Sequence, residues 1–163
     1  MTNHSTRMIR RILPLLLFLV SFPALAGERV LLTIEGALKD QQEVAFTRSD
    51  LEAIEMVEVA TGTPWHDGVV QFEGVPLKSL MHHVGAAGSE LHVSALNDYT
   101  ASIPMRDVEN LGPILALKKD GSYMGIEDKG PLFVIYPYDG NAELQSELYY
   151  SRSVWQARKI IVK

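Results

Sequence analysis

The side chains best suited to chemistry in this sequence are aromatic, amide and charged groups at or near junctions between predicted strands and loops. Aromatic rings provide flat surfaces for stacking, and Asn and Asp present hydrogen-bonding groups in a fixed geometry. Arg and Lys can hold an anion or stack on a ring. Together these groups suit the binding of a flat heterocycle with a polar edge. The residues are Trp65, Asn97, Asp98, Tyr99, Lys129, Tyr136, Arg152 and Trp155.

Three of these residues have a structural alternative that the sequence leaves open. Trp155 can be a core residue, and Lys129 in "DKGP" can be a solvated turn residue. Trp65 stands in "VEVATGTPWHDG", a turn-forming segment where a large ring is hard to bury. The binding site is therefore predicted from residue types and not from a specific motif.

The sequence shows none of the common catalytic or metal-binding motifs. It contains no cysteine, so it offers no thiolate as a nucleophile or metal ligand. No G-x-S-x-G, G-x-G-x-x-G or phosphate loop occurs. Asp98 and Asp128 could meet as a carboxylate pair, but nothing in the sequence indicates that they do. The histidines beyond residue 26 have no i, i+4 spacing and lack the close spacing of a zinc site; they are His66, His82, His83 and His92.

The first 26 residues have the pattern of a secretory signal peptide. Three arginines precede the apolar run "ILPLLLFLV", and "ALA" at residues 24–26 follows it. The run is too short for an ordinary membrane span. We therefore predict cleavage after Ala26 and export to the periplasm. Arg10 and Arg11 also allow a twin-arginine signal, but the strongly apolar run and Pro14 favour the ordinary signal for unfolded export.

Residues 27–163 then form one predicted domain of 137 residues, large enough to bury a core. The signal segment carries three of the 15 basic residues and none of the 20 acidic ones, which leaves a net charge of −8. A domain this acidic is a poor candidate for binding nucleic acid or an anionic lipid surface. Since disulfides are impossible without cysteine, the core must stabilise the exported fold.

The pattern of residues 27–163 predicts many short strands and a few short helices. Thr47 can cap a helix in "FTRSDLEAI", with Asp50 in the capping-box position. Pro76 suits the first turn of a helix over "VPLKSLMHHVGAAG". Strands are predicted over 29–36, 56–61 and 69–74, on both sides of 97–99, over 132–137 and from about residue 159. A hairpin is predicted over 114–125, and "TPWHDG" is predicted as a loop. A short helix is predicted late in 139–150. This pattern indicates the α+β class rather than a doubly wound sheet.

Five segments resemble, in the same order, segments of the sulfite oxidase-type molybdopterin-binding domain. "FEGVPLKSLM" is similar to its W-x-G-V-x-L-x-D-L-L segment, and "ALNDYTASIPMRDV" to its G-Y-x-x-x-I-P segment. "ILALKKDGSYM", "DKGPLFVIYP" and "VWQARKIIV" follow, and the likeness covers most of residues 29–163. The resemblance implies a single α+β domain with mixed β-sheets and short helices, the sulfite oxidase-type molybdopterin-binding fold.

The sequence departs from the enzymes of that family at one position. In them, a cysteine that binds molybdenum follows the strand leading into the equivalent of "VEVATGTPW". Ala60 or Thr61 takes that place here, and neither is a soft ligand. The sequence more closely resembles small exported proteins that carry a degenerate form of this domain and share the T-P-W, N-D-Y, K-G-P and V-W-Q segments. That group implies a periplasmic pterin-binding protein that reports to an inner-membrane signalling partner, often one that makes or degrades cyclic di-GMP.

On this resemblance the expected ligand is a pterin, reduced and without molybdenum. Trp65 or Tyr99 would stack on its two-ring face. Asp98 or Asn97 would pair with its edge, since a carboxylate suits the 2-amino and N3–H donors. In the enzymes, residues near the positions of Lys129 and Arg152 hold the phosphate of molybdopterin. The expected ligand-binding set is Thr61, Thr63, Trp65, Asn97, Asp98, Tyr99, Lys129, Tyr136, Arg152 and Trp155.

Three functions remain open from the sequence. The first is a non-enzymatic module that senses a pterin. The second is a molybdopterin-dependent oxidoreductase whose metal is held without protein sulfur. The ordinary export signal argues against it, because a cofactor inserted in the cytoplasm requires export of the folded protein. The third is an interaction module with a vestigial pocket.

Overall fold

The structure, a computed structural model, describes residues 27–163, and the predicted signal peptide with its cleavage site lies outside the described residues. The α-helices in these residues are α1 (Arg48–Glu52), α2 (Leu77–His83), α3 (Met105–Asn110) and α4 (Glu147–Arg152). Between residues 27 and 163, no helix has the length and apolar character needed to span a membrane. Short helices packed on two sheets confirm the predicted α+β class.

Sheet 1 joins the first and last strands of the described residues. Its strands, in spatial order, are β2 (Val44–Phe46), β1 (Leu32–Gly36), β10 (Ala157–Val162), β5 (Glu90–Ala95) and β6 (Thr100–Pro104). β1 and β10 run parallel, with Thr33 opposite Lys159. The other pairs in this sheet are antiparallel. Sheet 1 is therefore mixed, as the resemblance predicts.

Sheet 2 is antiparallel and is built around a long, bent strand. Its strands are β3 (Val57–Thr63), β4 (His66–Pro76), β7 (Ile114–Lys119), β8 (Ser122–Tyr123) and β9 (Phe133–Ile135), which pairs with β7. The β4–β7 register shifts between Glu73 and Gly74. A Cβ on Gly74 would lie 2.2 Å from the carbonyl oxygen of Leu115, so only glycine allows this close approach.

The main hydrophobic core lies between the two sheets. It contains buried side chains of β1, β5 and β10 together with Leu115 and Leu117 of β7. A smaller cluster covers the other face of sheet 2 and includes Ile114 and Ala116 of the same strand. Alternate residues of β7 thus face opposite cores, as the two-residue repeat of a strand requires.

Several local predictions are confirmed by hydrogen bonds and backbone angles. Thr47 Oγ1 accepts a hydrogen bond from the Asp50 N–H at 3.2 Å, and the Asp50 carboxylate accepts one from the Thr47 N–H at 2.8 Å. This is the predicted capping box of α1. Asp120 and Gly121 have φ values of +48° and +79°, the left-handed conformation of the predicted hairpin turn.

One other local prediction is wrong. "TPWHDG" is not a loop throughout, because only Pro64 and Trp65 separate β3 from β4 and His66 already pairs with Thr63. A register shift after Gly62 lets the two strands pair up to this tight turn. The predicted last strand is present and begins at residue 157, two residues before its approximate predicted start, whereas α3 was not predicted.

Candidate functional site

A cleft of about 310 Å³ brings together three segments that are distant in sequence. The β3–β4 turn contributes Trp65, and the β5–β6 turn contributes Asn97 and Tyr99. The third side comes from α4 and the residues after it, namely Glu147, Tyr150, Ser151, Ser153 and Trp155. A larger cleft of about 400 Å³ lies along β1 and β10, but no predicted site residue lines it.

Trp65 packs against two other aromatic residues of the cleft. Its ring centroid lies 5.9 Å from that of Tyr150 and 5.7 Å from that of Trp155, with interplanar angles of 75° and 85°. Such edge-to-face contacts are favourable. Trp65 also packs against both hydrophobic clusters, which is how a large ring on a two-residue turn becomes partly buried. This packing fixes the orientation of the Trp65 ring at the cleft.

Thr63 fixes the turn that carries Trp65. Its hydroxyl oxygen accepts a hydrogen bond from the Trp65 backbone N–H at 3.3 Å and lies 2.8 Å from Nδ1 of His66. Burial lowers the pKa of His66, and the nearby cations Lys119 and Lys129 lower it further, so the neutral imidazole is favoured. Thr63 thus shapes the site through the turn and does not line the cleft.

The β5–β6 turn forms one wall of the cleft and is tied to α4. Asn97 Oδ1 accepts a hydrogen bond from the Tyr99 N–H at 3.2 Å, and Tyr99 Oη donates one to the Ser151 carbonyl at 2.6 Å. Asp98 has a φ of +64°, a conformation that Asp tolerates better than most residues. Its side chain is 87 % exposed and pairs with Arg158 at 3.2 Å, outside the cleft.

Arg152 is directed away from the cleft into a buried ion pair. Its Nη1 donates a hydrogen bond to Oδ2 of Asp107 at 2.6 Å, and only 3 % of the Asp107 side chain is exposed. The guanidinium carbon also lies 5.5 Å from the ring centroid of Tyr149. These contacts join α4 to α3. Arg152 therefore fixes the helix that forms one side of the cleft and is not among the lining residues.

Tyr136 and Thr61 are fully buried beside the site. Tyr136 Oη is a buried polar atom without a hydrogen-bond partner among the described residues, and burial raises its pKa far above the usual range. Thr61 Oγ1 accepts a hydrogen bond from the Asp139 N–H at 3.1 Å, while the Asp139 carboxylate accepts one from the Gly62 N–H at 2.7 Å. The Thr61 hydroxyl thus links β3 to the segment at residue 139.

Lys129 contacts one of the rings that line the cleft. Its Nζ lies 4.5 Å from the ring centroid of Trp155, a cation–π contact. Its backbone is left-handed, with a φ of +70°, and its carbonyl accepts a hydrogen bond from the Gln156 N–H. Lys129 is not among the residues that line the cleft.

The structure brings together four of the ten predicted ligand-binding residues in the cleft, which are Trp65, Asn97, Tyr99 and Trp155. Four lining residues were not predicted from the sequence, namely Glu147, Tyr150, Ser151 and Ser153. A signal for the first three was present, because residues spaced i, i+3 and i+4 share one face of a helix. The predicted short helix late in 139–150 therefore already placed the carboxylate of Glu147 and the phenol of Tyr150 side by side, and Ser151 is the next residue.

A comparison with family models identifies the chain. Residues 21–139 match the oxidoreductase molybdopterin binding domain. The chain belongs to this family. The match ends before α4, so the helix that forms one side of the cleft lies beyond the matched residues.

The family fold is also found by structural comparison. The chain is similar to the sulfane dehydrogenase SoxCD from Paracoccus pantotrophus, with a TM-score of 0.63 and 19 % sequence identity. The similarity covers 80 % of this chain and 37 % of that one, so the chain spans little more than a third of its length. A comparison with curated proteins gave no match. The predicted sulfite oxidase-type molybdopterin-binding fold is confirmed.

The cleft residues fit the pterin part of the family cofactor. Aromatic rings surround the cleft, and Asn97, Glu147 and Ser151 supply hydrogen-bonding groups. The residues do not fit a molybdenum ion bound through protein sulfur. Thr61, one of the two candidates for the cysteine position, is buried and its hydroxyl is hydrogen-bonded. Within residues 27–163, no three His, Asp or Glu side chains are grouped to hold a metal ion.

Proposed function

We propose that this protein binds a pterin without molybdenum and works as a non-enzymatic ligand sensor in the periplasm. The observation that carries the proposal is the cleft, where Trp65, Tyr99, Tyr150 and Trp155 surround a space with a few polar groups. Ligand sites are typically apolar concavities with a small number of placed polar groups. Family membership indicates that this ligand is a pterin, since this domain family binds molybdopterin.

The rings and the polar groups have separate roles in this proposal. A pterin stacks on the aromatic side chains, which gives affinity with little dependence on the exact substituents. Asn97, Glu147 and Ser151 pair with the edge, which gives specificity. A wrong heterocycle leaves desolvated polar groups unpaired, and each such group costs about 1–3 kcal/mol.

The signalling part of the proposal is supported by the sequence. The signal peptide pattern directs the chain to the periplasm, and the resemblance to small exported pterin-binding proteins suggests an inner-membrane signalling partner. The acidic net charge argues against nucleic acid as the partner. The output is tested by measuring cyclic di-GMP in cells that lack the gene and in cells that carry wild type or Trp65→Phe in its place. Equal levels with and without the gene would remove this part of the proposal.

A molybdopterin-dependent oxidoreductase is the second candidate, and family membership favours it. One experiment separates the two. The protein is produced from its complete gene, purified from the periplasm and denatured, and the released material is assayed for fluorescent pterin after mild oxidation and for molybdenum. Pterin without metal supports the sensor. Stoichiometric molybdenum overturns it in favour of the enzyme. The absence of both, with no binding of added reduced pterins, leaves an interaction module with a vestigial pocket.

A further inference from the structure

Glu147 is the one charged side chain among the eight residues that line the cleft in the described part of the chain. It is the first residue of α4, one helical turn before Tyr150 and Ser151, which line the same cleft. Residues at these spacings lie on one helix face. Glu147 is solvent-exposed, and its carboxylate therefore lies on the open side of the cleft, on the same helix face as an aromatic ring and a hydroxyl.

Three cations that contact residues of the surrounding segments are each engaged by another side chain. Arg152 pairs with the buried Asp107, Arg158 pairs with Asp98, and Lys129 lies over the ring of Trp155. None of the three cations lines the cleft. A phosphate in this space would meet a carboxylate and no cation, and like charges at short range are unfavourable.

The carboxylate expected from the sequence to read the ligand edge was that of Asp98. The left-handed turn places Asp98 with 87 % of its side chain exposed and in contact with Arg158. Glu147 is the carboxylate that the fold brings to the aromatic rings instead.

We propose that Glu147 is the specificity-determining residue of the cleft and selects a neutral, phosphate-free pterin. This inference rests on the proposed pterin-binding function. The two carboxylate oxygens accept hydrogen bonds from the 2-amino group and N3–H, two adjacent donors that are parallel in a pterin. A pteridine-2,4-dione has a carbonyl in place of the 2-amino group, so one carboxylate oxygen faces an acceptor. Molybdopterin is disfavoured because its phosphate finds no cation among the lining residues.

The test is a specificity switch at Glu147. Glu147→Gln keeps one acceptor and replaces the other with an N–H donor, which is the complement of the dione edge. Pterin and pteridine-2,4-dione, each in oxidised and tetrahydro forms, are titrated into the purified apoprotein. Both tryptophans of the chain line the cleft, so quenching of their fluorescence reports binding directly. Calorimetry provides the affinities.

Wild type is expected to bind the pterin more tightly than the dione. Glu147→Gln should weaken pterin binding by roughly tenfold to a hundredfold, as expected for loss of a hydrogen bond to a charged group. It should bind the dione at least as well as wild type does. Glu143→Gln makes the same chemical change at a residue that is also exposed but does not line the cleft, and it should leave both affinities unchanged.

Two results overturn the inference while leaving the proposed function intact. One is an unchanged ratio of pterin to dione affinity in Glu147→Gln. The other is loss of the preference in Asp98→Asn with Glu147→Gln behaving as wild type. If wild type binds neither heterocycle in either form, the proposed function itself fails. Circular dichroism of each variant verifies its fold, and Glu147→Asp, which keeps the charge, should keep the preference at lower affinity.

Discussion

Arg152→Ala should destabilise the protein strongly, because it leaves the buried carboxylate of Asp107 without its close partner. Only 3 % of the Asp107 side chain and 14 % of the Arg152 side chain are exposed, and the two are joined by a 2.6 Å hydrogen bond. Removing one member of a buried pair costs about 3–5 kcal/mol, since the other charge stays out of water. The lower end applies here because Arg106 lies 3.6 Å from the same carboxylate.

The expected loss is about 3 kcal/mol, which corresponds to a fall in Tm of roughly 10 °C. The conversion uses an unfolding entropy of about 2.1 cal/mol/K per residue, or about 0.3 kcal/mol/K for a domain of this size. Arg106→Ala is the matched control. It removes a second arginine from the same Asp107, but 79 % of its side chain is exposed. Exposed pairs contribute at most about 1 kcal/mol.

Thermal and urea unfolding of both variants measure the difference, and pterin titration separates structure from ligand binding. If Arg152 holds the ligand, as predicted from the sequence, Arg152→Ala will weaken binding and leave stability nearly unchanged. If the ion pair instead holds α4 in place, Arg152→Ala will lower stability. Binding will then weaken as a consequence, because the α4 side of the cleft loosens. Equal stability of the two arginine variants would refute the reasoning from burial.

Three further predictions concern single sites. The pKa of His66 is lowered in the folded protein, mainly by burial, so the unfolded chain binds this proton more tightly. The free energy of unfolding of wild type should therefore decrease as the pH falls from about 6.5 to below the pKa of His66 in the folded protein. Over the same pH range, the free energy of unfolding of His66→Gln, measured in urea, should decrease less. Gly74→Ala should cost at least about 2 kcal/mol in the same assay, because its Cβ would clash with the β7 backbone. Tyr99→Phe removes the hydrogen bond to α4 and should lower stability by about 0.5–1.5 kcal/mol; no change in Tm would show that this contact is not formed in solution.

The sequence predicts the fold well because its local signals agree with one another. The capping box at Thr47, the Asp120–Gly121 turn and the alternating strands each follow from neighbouring residues, and the structure contains all of them. The five segments shared with the family order these elements into mixed sheets. The turn at Trp65 was misread because strand pairing extends further than the Gly and Pro residues suggest.

The site could be predicted only in part, since side-chain partners depend on distant residues. Nothing near Arg152 in the sequence indicates that it pairs with Asp107, which is 45 residues away on another helix. Asp98 stands between two cleft residues, yet its left-handed backbone places its carboxylate in solvent. Helical spacing relates Glu147 to Tyr150 and Ser151 in the sequence. A short helix after a loop, however, gave little reason to choose Glu147 over other carboxylates as a site residue.

The parallel pairing of β1 and β10 has a consequence for how the chain folds. About 120 residues separate these neighbours, and β10 also provides the edge on which β5 pairs. Until β10 has been synthesised, sheet 1 consists of two separate hairpins, β1–β2 and β5–β6, which are marginal alone. At about 5–20 residues per second, ribosomes need roughly 6–25 s to cover that distance.

During this interval the nascent chain cannot complete its main core, because β10 contributes buried side chains to it. Because this central strand is the last of the described strands, sheet 1 can close only after all of its other strands have been made. Folding of sheet 1 is completed when β10 pairs with β1 on one side and β5 on the other and so joins the two hairpins into one sheet.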